Sequence, residues 1–334
     1  MSKLSIIVPV YYNADTLEML YDDLQQKVLP KLEAYELVFV DDGSGDNSWE
    51  IIQKLAAKDK NVVSVKLSRN FGEHAALLAG LNVCTGDCAV TKQADLQEDS
   101  ALILDMLESW KRGNKVVLAV RRSREDSAMT KFFAGLYYRI IRRTVNKNMP
   151  VGGCDCYLLD RKAIEVIKLM DEKNSSLTLQ VMWLGFQSEQ IYFDRQERKA
   201  GKGRWTFSKK YKLVVDSLIS FTYIPIRFMS IVGALFVLFA IIYGISTIVE
   251  HFTHGTPVGY ASLMCVLLLG MGLILLMVGI LGEYVWRTLE ESRNRPTFII
   301  DELKRQNGDT APVPHNQTPN QNHTLPEDTG RNEK

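Results

Sequence analysis

Residues 91–100, TKQADLQEDS, end an apolar run with a single carboxylate, Asp95, set between two amides, Gln93 and Gln97, and followed by Glu98 and Asp99. A hard divalent cation takes oxygen ligands, so a metal site, working or altered, is one reading of this stretch. The same residues also make an ordinary polar end to a strand. A second cluster, VDDGSGDNSWE, puts Asp41 and Asp42 at the end of another apolar run. There Gly43 opens a tight turn, and Asn47 or Ser48 is able to cap the next helix. Carboxylates at a strand end can accept hydrogen bonds from the base and ribose of a nucleotide. Asp-Asp-Gly-Ser alone is ordinary turn chemistry, and its weight comes from IIVPVYYN before it and LSRNFGEHAALLAGL after it.

These residues need a scaffold, and the first 205 residues supply the pattern for one. LSIIVPV, ELVFVDD, VVSVKLS, CAVTKQA and KVVLAV are short apolar runs bounded by polar or turn residues, as buried strands are. Helical spacing falls between them at about 16–29, 47–58, 74–83 and 100–112. Strands alternating with helices predict an α/β fold with a parallel, doubly wound sheet covered on both faces. Such sheets bind ligands beyond the carboxyl ends of their strands. Residues 9–13, 41–44, 68–72 and 93–99 would therefore share one rim.

The 334 residues include 40 basic and 39 acidic side chains, so no global field argues for nucleic acid as a partner. Five cysteines show neither a disulfide framework nor a nearby histidine to complete a zinc set, and reduced, mostly buried thiols are expected. The N-terminus reads at once as a strand, without a signal peptide.

Beyond the sheet region the composition changes. Residues 228–249 carry no charge, and neither do 251–282 apart from two histidines. At ~1.5 Å per residue, ~20 residues cross a ~30 Å hydrocarbon layer. Two membrane helices, about 228–249 and 260–283, are expected; a buried hairpin in a soluble protein is the alternative. Arg227 precedes the first span, and Arg287, Arg293, Arg295, Lys304 and Arg305 follow the second. Positive flanks stay inside, which puts the sheet domain in the cytoplasm of a multi-pass inner-membrane protein. Residues 206–227, with Lys209, Lys210 and Lys212 leading into apolar helical spacing, read as an interfacial helix or as a plain domain-packing helix. Residues 301–334, and above all 306–334, are rich in Asn, Pro, Thr and Gln and read as a disordered cytoplasmic tail.

The ordered set SIIVPVYYNADTLEML, VFVDDGSGDNSWEII, LSRNFGEHAALLAGL and GDCAVTKQADLQEDS resembles the family-two, GT-A-fold glycosyltransferases. Further on, AVRRSREDS, GGCDCYLLDRK and RKAGKGRWTFSKK lead into the two spans. Together they are similar to the polyprenyl-phosphate glycosyltransferases, the group of dolichyl-phosphate mannosyltransferases and bacterial undecaprenyl-phosphate glucosyl and aminosugar transferases. The resemblance covers residues 3 to about 290.

It implies that Pro9, Tyr11, Asn13, Asp41 and Asp42 hold a nucleotide-sugar, with Arg69 and Asn70 beside the base or ribose and Gln93 near the diphosphate. Asp95 and Gln97 match the metal segment, so Mg or Mn is the expected cofactor. Gln93 stands where the family usually has an Asp, which removes one negative charge. Asp155 matches the carboxylate often cast as the base. Here it would orient, or take a proton from, a lipid phosphate. Arg121 and Arg124 fit an R-x-x-R pattern. With Lys131, Arg198, Lys202 and Arg204 they would bind that phosphate, or else form a solvated basic face. Cys156 and Tyr157 replace the family's Phe and Arg, so one expected cation is gone.

The implied reaction is inverting transfer of one sugar, first of all glucose from UDP-glucose, to membrane undecaprenyl phosphate, and a homo-oligomer is compatible with it. Galactose, N-acetylhexosamine and aminoarabinose-type donors stay open. So do a processive polysaccharide synthase, against which GKGRW lacks the Gln of Q-x-x-R-W, and a non-catalytic membrane partner.

Overall fold

A computed structural model describes residues 2–122, 154–170, 176–194, 224–254, 259–293 and 295–305, together with positions 135, 139, 142, 143 and 150. Arg124, Lys131, Arg198, Lys202, Arg204, the interfacial stretch at 206–223 and the tail at 306–334 lie outside the described residues.

The core is built from β1 (Lys3–Val10), β2 (Ala34–Asp41), β3 (Val62–Leu67) and β4 (Cys88–Thr91). Helices α1 (Ala14–Lys27), α2 (Ser48–Lys58) and α3 (Glu73–Val83) connect them, and α4 (Leu102–Lys111) follows β4. β1 pairs in parallel with β2 on one side and β4 on the other, and β2 pairs in parallel with β3. Alternate residues of these strands face opposite layers. Ile7, Val38 and Val40 pack toward α3, while Ile6, Val8, Val10 and Phe39 pack toward α1, α2 and α4. Burial on both faces is why these strands read as continuous apolar runs.

Four further strands complete the sheet, and they are less regular. β5 (Val116–Arg121) does not join β4; β6 (Cys154–Asp160) lies between them, antiparallel to both. β7 (Ser188–Phe193) runs parallel to β5 at one edge. Two short helices, α5 (Arg161–Lys168) and α6 (Leu177–Trp183), cover the α3 side. The order of the 8-stranded sheet is β7-β5-β6-β4-β1-β2-β3-β8. It is mostly parallel with helices on both faces, a GT-A-like arrangement.

Its last strand, β8 (Ile300–Lys304), corrects the expectation that the disordered tail begins at residue 301. It pairs antiparallel with β3, and the Ser68 N–H donates to the Ile299 carbonyl at 3.0 Å. Phe298 and Ile300 are buried in the core. Lys304 and Lys66 both lie over the Trp49 ring, at 5.6 and 5.4 Å. Two buried apolar anchors and one free sheet edge outweigh a polar composition.

Between sheet and β8 the chain makes two long helices, α7 (Ile224–His254) and α8 (Tyr260–Ser292), of 31 and 33 residues. Their stretches 226–246 and 269–292 are long and apolar enough to cross a membrane, and none of the described side chains there is buried. The hairpin is therefore not the core of a soluble globule. The two helices lie against each other at Gly270, where a Cβ would make an ordinary contact, 3.4 Å, with the Phe236 ring. At the far end Arg287 pairs with Glu283, and Arg293 lies over Trp286.

Phe298→Ala should lower the unfolding free energy by about 3 kcal/mol, the cost of emptying a buried aromatic site. A chain ending at Arg305 should unfold like the full-length protein. Denaturant titration in detergent measures both, and equal stability of Phe298→Ala and the parent would remove β8 from the core.

Candidate active site

The carboxyl ends of β1, β2 and β4 stop at staggered heights, and the loops that follow them meet there. Asp42 N–H donates to the Val10 carbonyl at 2.8 Å, and Lys92 N–H to the Ile7 carbonyl at 2.9 Å. Above β1, Tyr12 takes a left-handed φ of +56°. Its N–H is held by Ser44 Oγ at 3.0 Å, while Asn13 Oδ1 accepts the Tyr11 N–H at 3.0 Å. The Tyr11 and Tyr12 rings meet edge to face, with centroids 4.8 Å apart, and both are exposed. Asp46, rather than Asn47 or Ser48, caps the helices here. One of its oxygens accepts the Ser48 N–H at 3.1 Å and the other the Ala14 N–H at 3.3 Å, joining the starts of α2 and α1.

Asp41 and Asp42 are both buried but differ in what they hold. Asp42 accepts the Phe71 N–H at 2.7 Å and the Gly72 N–H at 2.9 Å, one on each oxygen. It thereby ties the end of β2 to the loop before α3. Burial pushes its pKa up from 3.8 to about 6, against the pull of those two N–H donors. Asp41 accepts the Ser44 N–H at 3.2 Å with Oδ1, while Oδ2 is buried with no hydrogen-bond partner among the described residues. Burial raises its pKa as well. An orphaned, buried carboxylate oxygen is costly unless something donates to it. Gly43, at φ +67°, closes this corner: a Cβ there would sit 2.6 Å from the Arg69 carbonyl carbon. That close approach brings Arg69 and Asn70 to the rim, with the Arg69 guanidinium 4.2 Å from the Phe71 ring.

Past β4, Asp95 is half-buried and its Oδ1 accepts the Gln97 N–H at 3.2 Å. Between them Leu96 has a left-handed φ of +56° and a buried side chain. Gln93 Nε2 donates to Glu73 Oε1 at 2.5 Å. A carboxylate from the start of α3 therefore stands beside the position that lacks an Asp, a contact across 20 residues that the sequence does not reveal. Asp99 belongs to the scaffold: it accepts the Ala101 N–H at 3.1 Å and pairs with Lys27 at 3.0 Å, and these contacts hold its pKa low.

Asp155 lies on β6 at an irregularity. Ala119 faces Cys156 but Val120 faces Cys154, so the register shift passes over Asp155. Such shifts are common beside active sites. Arg121 ends β5 on the same rim, and Pro9 lies inside β1 opposite Val40. Cys156 and Tyr157 are buried, so neither replaces a rim cation.

Among the described residues no group of three or more His, Cys, Asp or Glu side chains could hold a metal ion. One carboxylate with neighbouring amide oxygens is a hard donor set. It fits Mg or Mn only as part of a shell completed by a diphosphate and water.

The family model for glycosyl transferase family 2 matches residues 5–168. The "Uncharacterized glycosyltransferase YkcC" of Bacillus subtilis (strain 168) is 35% identical over 303 residues, covering 89% of this chain and 92% of that one. The chain belongs to glycosyl transferase family 2. It is a glycosyltransferase, and enzymes of its fold generally use a divalent metal. A second model, the GtrB C-terminal hairpin, matches residues 224–287, which are α7 and most of α8. The "Prophage bactoprenol glucosyl transferase homolog" of Escherichia coli (strain K12) is 32% identical over 305 residues, 91% of this chain and 100% of that one. The "Bactoprenol glucosyl transferase" of Shigella phage SfV is 32% identical over 306 residues, again 91% and 100%.

Two outcomes follow from the corner at Asp42. Because its folded pKa lies above the unfolded value, ionised Asp42 costs stability above about pH 6, and the cost fades as pH falls toward 3.8. The stability of the parent relative to Asp42→Asn should rise between about pH 7 and about pH 5; a constant difference would disprove the shift. Gly43→Ala should weaken nucleotide binding by about tenfold or more, since it strains φ and pushes the Arg69–Asn70 backbone outward. Calorimetry with UDP tests this, and parental affinity would contradict it.

Proposed function

We propose that this chain transfers one glucosyl unit from UDP-glucose to membrane undecaprenyl phosphate, with the sheet domain on the cytoplasmic face of the inner membrane. The observation that carries the reading is end-to-end similarity, hairpin included, to relatives named bactoprenol glucosyl transferases. The division of labour is residues 1–205 for the sugar-transfer domain, 206–227 for the approach to the interface and 228–286 for the membrane hairpin.

In this reading the uridine lies over the corner made by Tyr11, Asn13, Asp41 and Arg69. The buried Asp41 Oδ2 accepts a hydrogen bond from the base or ribose. The diphosphate runs toward Gln93, Asp95 and Gln97. Asp95 and Gln97 would ligate a Mg or Mn ion, whose chemistry is to offset charge on the departing diphosphate. A lipid phosphate oxygen attacks the anomeric carbon, the bond to the diphosphate oxygen breaks with inversion, and UDP leaves. The attacking oxygen is already anionic near neutral pH, so Asp155 need only orient it or take a proton from a monoanionic phosphate. Arg121 and Arg124, with Lys131, Arg198, Lys202 and Arg204, supply cations for the phosphate.

Membranes holding the chain, incubated with labelled sugar nucleotides and undecaprenyl phosphate, should form one glycolipid, with UDP-glucose the best donor. A long polymer would favour a processive synthase, and no product with any donor a non-catalytic partner. Asp95→Asn should lower turnover by about 10²-fold or more while the protein stays folded and membrane-bound; near-parental activity would defeat the ligand assignment. In Arg121→Ala/Arg124→Ala, lipid saturation should be lost and donor binding kept, and unchanged lipid saturation would exclude those arginines.

A further inference from the structure

We propose that Lys92 is a positioning residue whose buried ammonium clamps the Asp95–Gln97 turn in the shape that the donor requires. The inference rests on the reading of that turn as the diphosphate end of the donor site. Lys92 is the last residue before the loop and is only 2% exposed. Its Nζ donates to the Glu98 carbonyl at 2.5 Å and stands 3.6 Å from the Glu98 carboxylate. A single side chain therefore bridges from the foot of the loop to Glu98, with Gln93, Asp95 and Gln97 between the two ends.

The backbone inside the loop needs such a brace. Leu96 sits at φ +56° with its side chain buried, a conformation that a branched L-residue holds only when its surroundings enforce it. The turn also carries the Asp95–Gln97 hydrogen bond, at 3.2 Å. Burying an ammonium is costly, and an apolar residue of the same volume would serve packing as well or better. The charge is therefore explained by what it grips. The grip fixes the loop carbonyl at Glu98, which aims Asp95 and Gln97 from one rigid turn. Lys92 touches no reacting atom in this scheme; it acts through the turn.

The test is a paired variant, Lys92→Met/Glu98→Gln, which removes both buried charges together so that neither remains alone. In the full-length protein in detergent, its melting temperature should stay near the parent's. Amide exchange across residues 93–99 should accelerate by about tenfold or more. The KM for UDP-glucose should rise by about tenfold, with the KM for undecaprenyl phosphate unchanged. A folded variant with parental exchange and parental donor KM would overturn the clamp. Should the variant not fold, the parent alone decides. Without any ligand, its 93–99 amides must exchange about tenfold or more slowly than an unstructured peptide of that sequence, and peptide-like exchange would overturn the clamp too. A protected loop in a parent that transfers no sugar would count against the proposed reaction and leave the clamp standing.

Discussion

The position of β1 between two parallel neighbours is the constraint on which the rest depends. Its register with β2 brings Val10 opposite Asp41, and its register with β4 brings Ile7 opposite Thr91. The chain leaves β1 toward β2 on one side, and β4 flanks it on the other, so the connections on the two sides diverge. A crevice opens where they part, and open α/β sheets bind their ligands at such a point. The stagger matters as much as the order. The Ile7 carbonyl receives the Lys92 N–H three residues below the Val10 carbonyl that receives the Asp42 N–H. Asp41 and Asp42 therefore stand higher than the start of the 92–98 loop, giving the crevice an upper and a lower wall.

The walls are joined mostly by side chains gripping backbone. Asp42 takes two N–H groups from the loop before α3, Asp46 takes one from the start of each of two helices, and Ser44 and Ser48 hold the N–H groups of Tyr12 and Asn13. Loops at strand ends carry backbone donors that no ladder satisfies, and short oxygen-bearing side chains meet that need locally. This explains why Asp, Asn and Ser crowd the rim, and why several of them are supports rather than ligands. Asp41 is different, because one of its buried oxygens has no partner among the described residues.

Sequence disclosed the parts of the fold in which burial is symmetric. β1 to β4 lie under helices on both faces and appear as apolar runs. α1 to α4 appear within two residues of their bounds. β6, β7 and β8 were not legible as strands. β6 is masked by its cysteines and Asp155, β7 is a half-exposed edge, and β8, IDELK, carries three charges in five residues. What makes β8 a strand is the open edge of β3, more than 200 residues earlier, together with two apolar anchors. The chain thus enters the hairpin after the sheet domain and returns from it to the same sheet. The far edge of that sheet and the end of α8 are separated by only the 293–299 stretch.

At the site, residue types were legible and their division of labour was not. Gln93 shows why. Taken along the chain, it subtracts a charge where an Asp is usual. In space, its amide meets the Glu73 carboxylate, so a negative group still stands at that point and is carried by α3. Lys92 is the converse. The run CAVTKQA reads as a buried strand without singling out its lysine, whose partner sits six residues ahead across a turn whose left-handed Leu96 no propensity would predict. Local pattern fixes which side chains reach the rim. The pairing of charges across loops decides what each of them does there, and that pairing is set by the stagger of three strands.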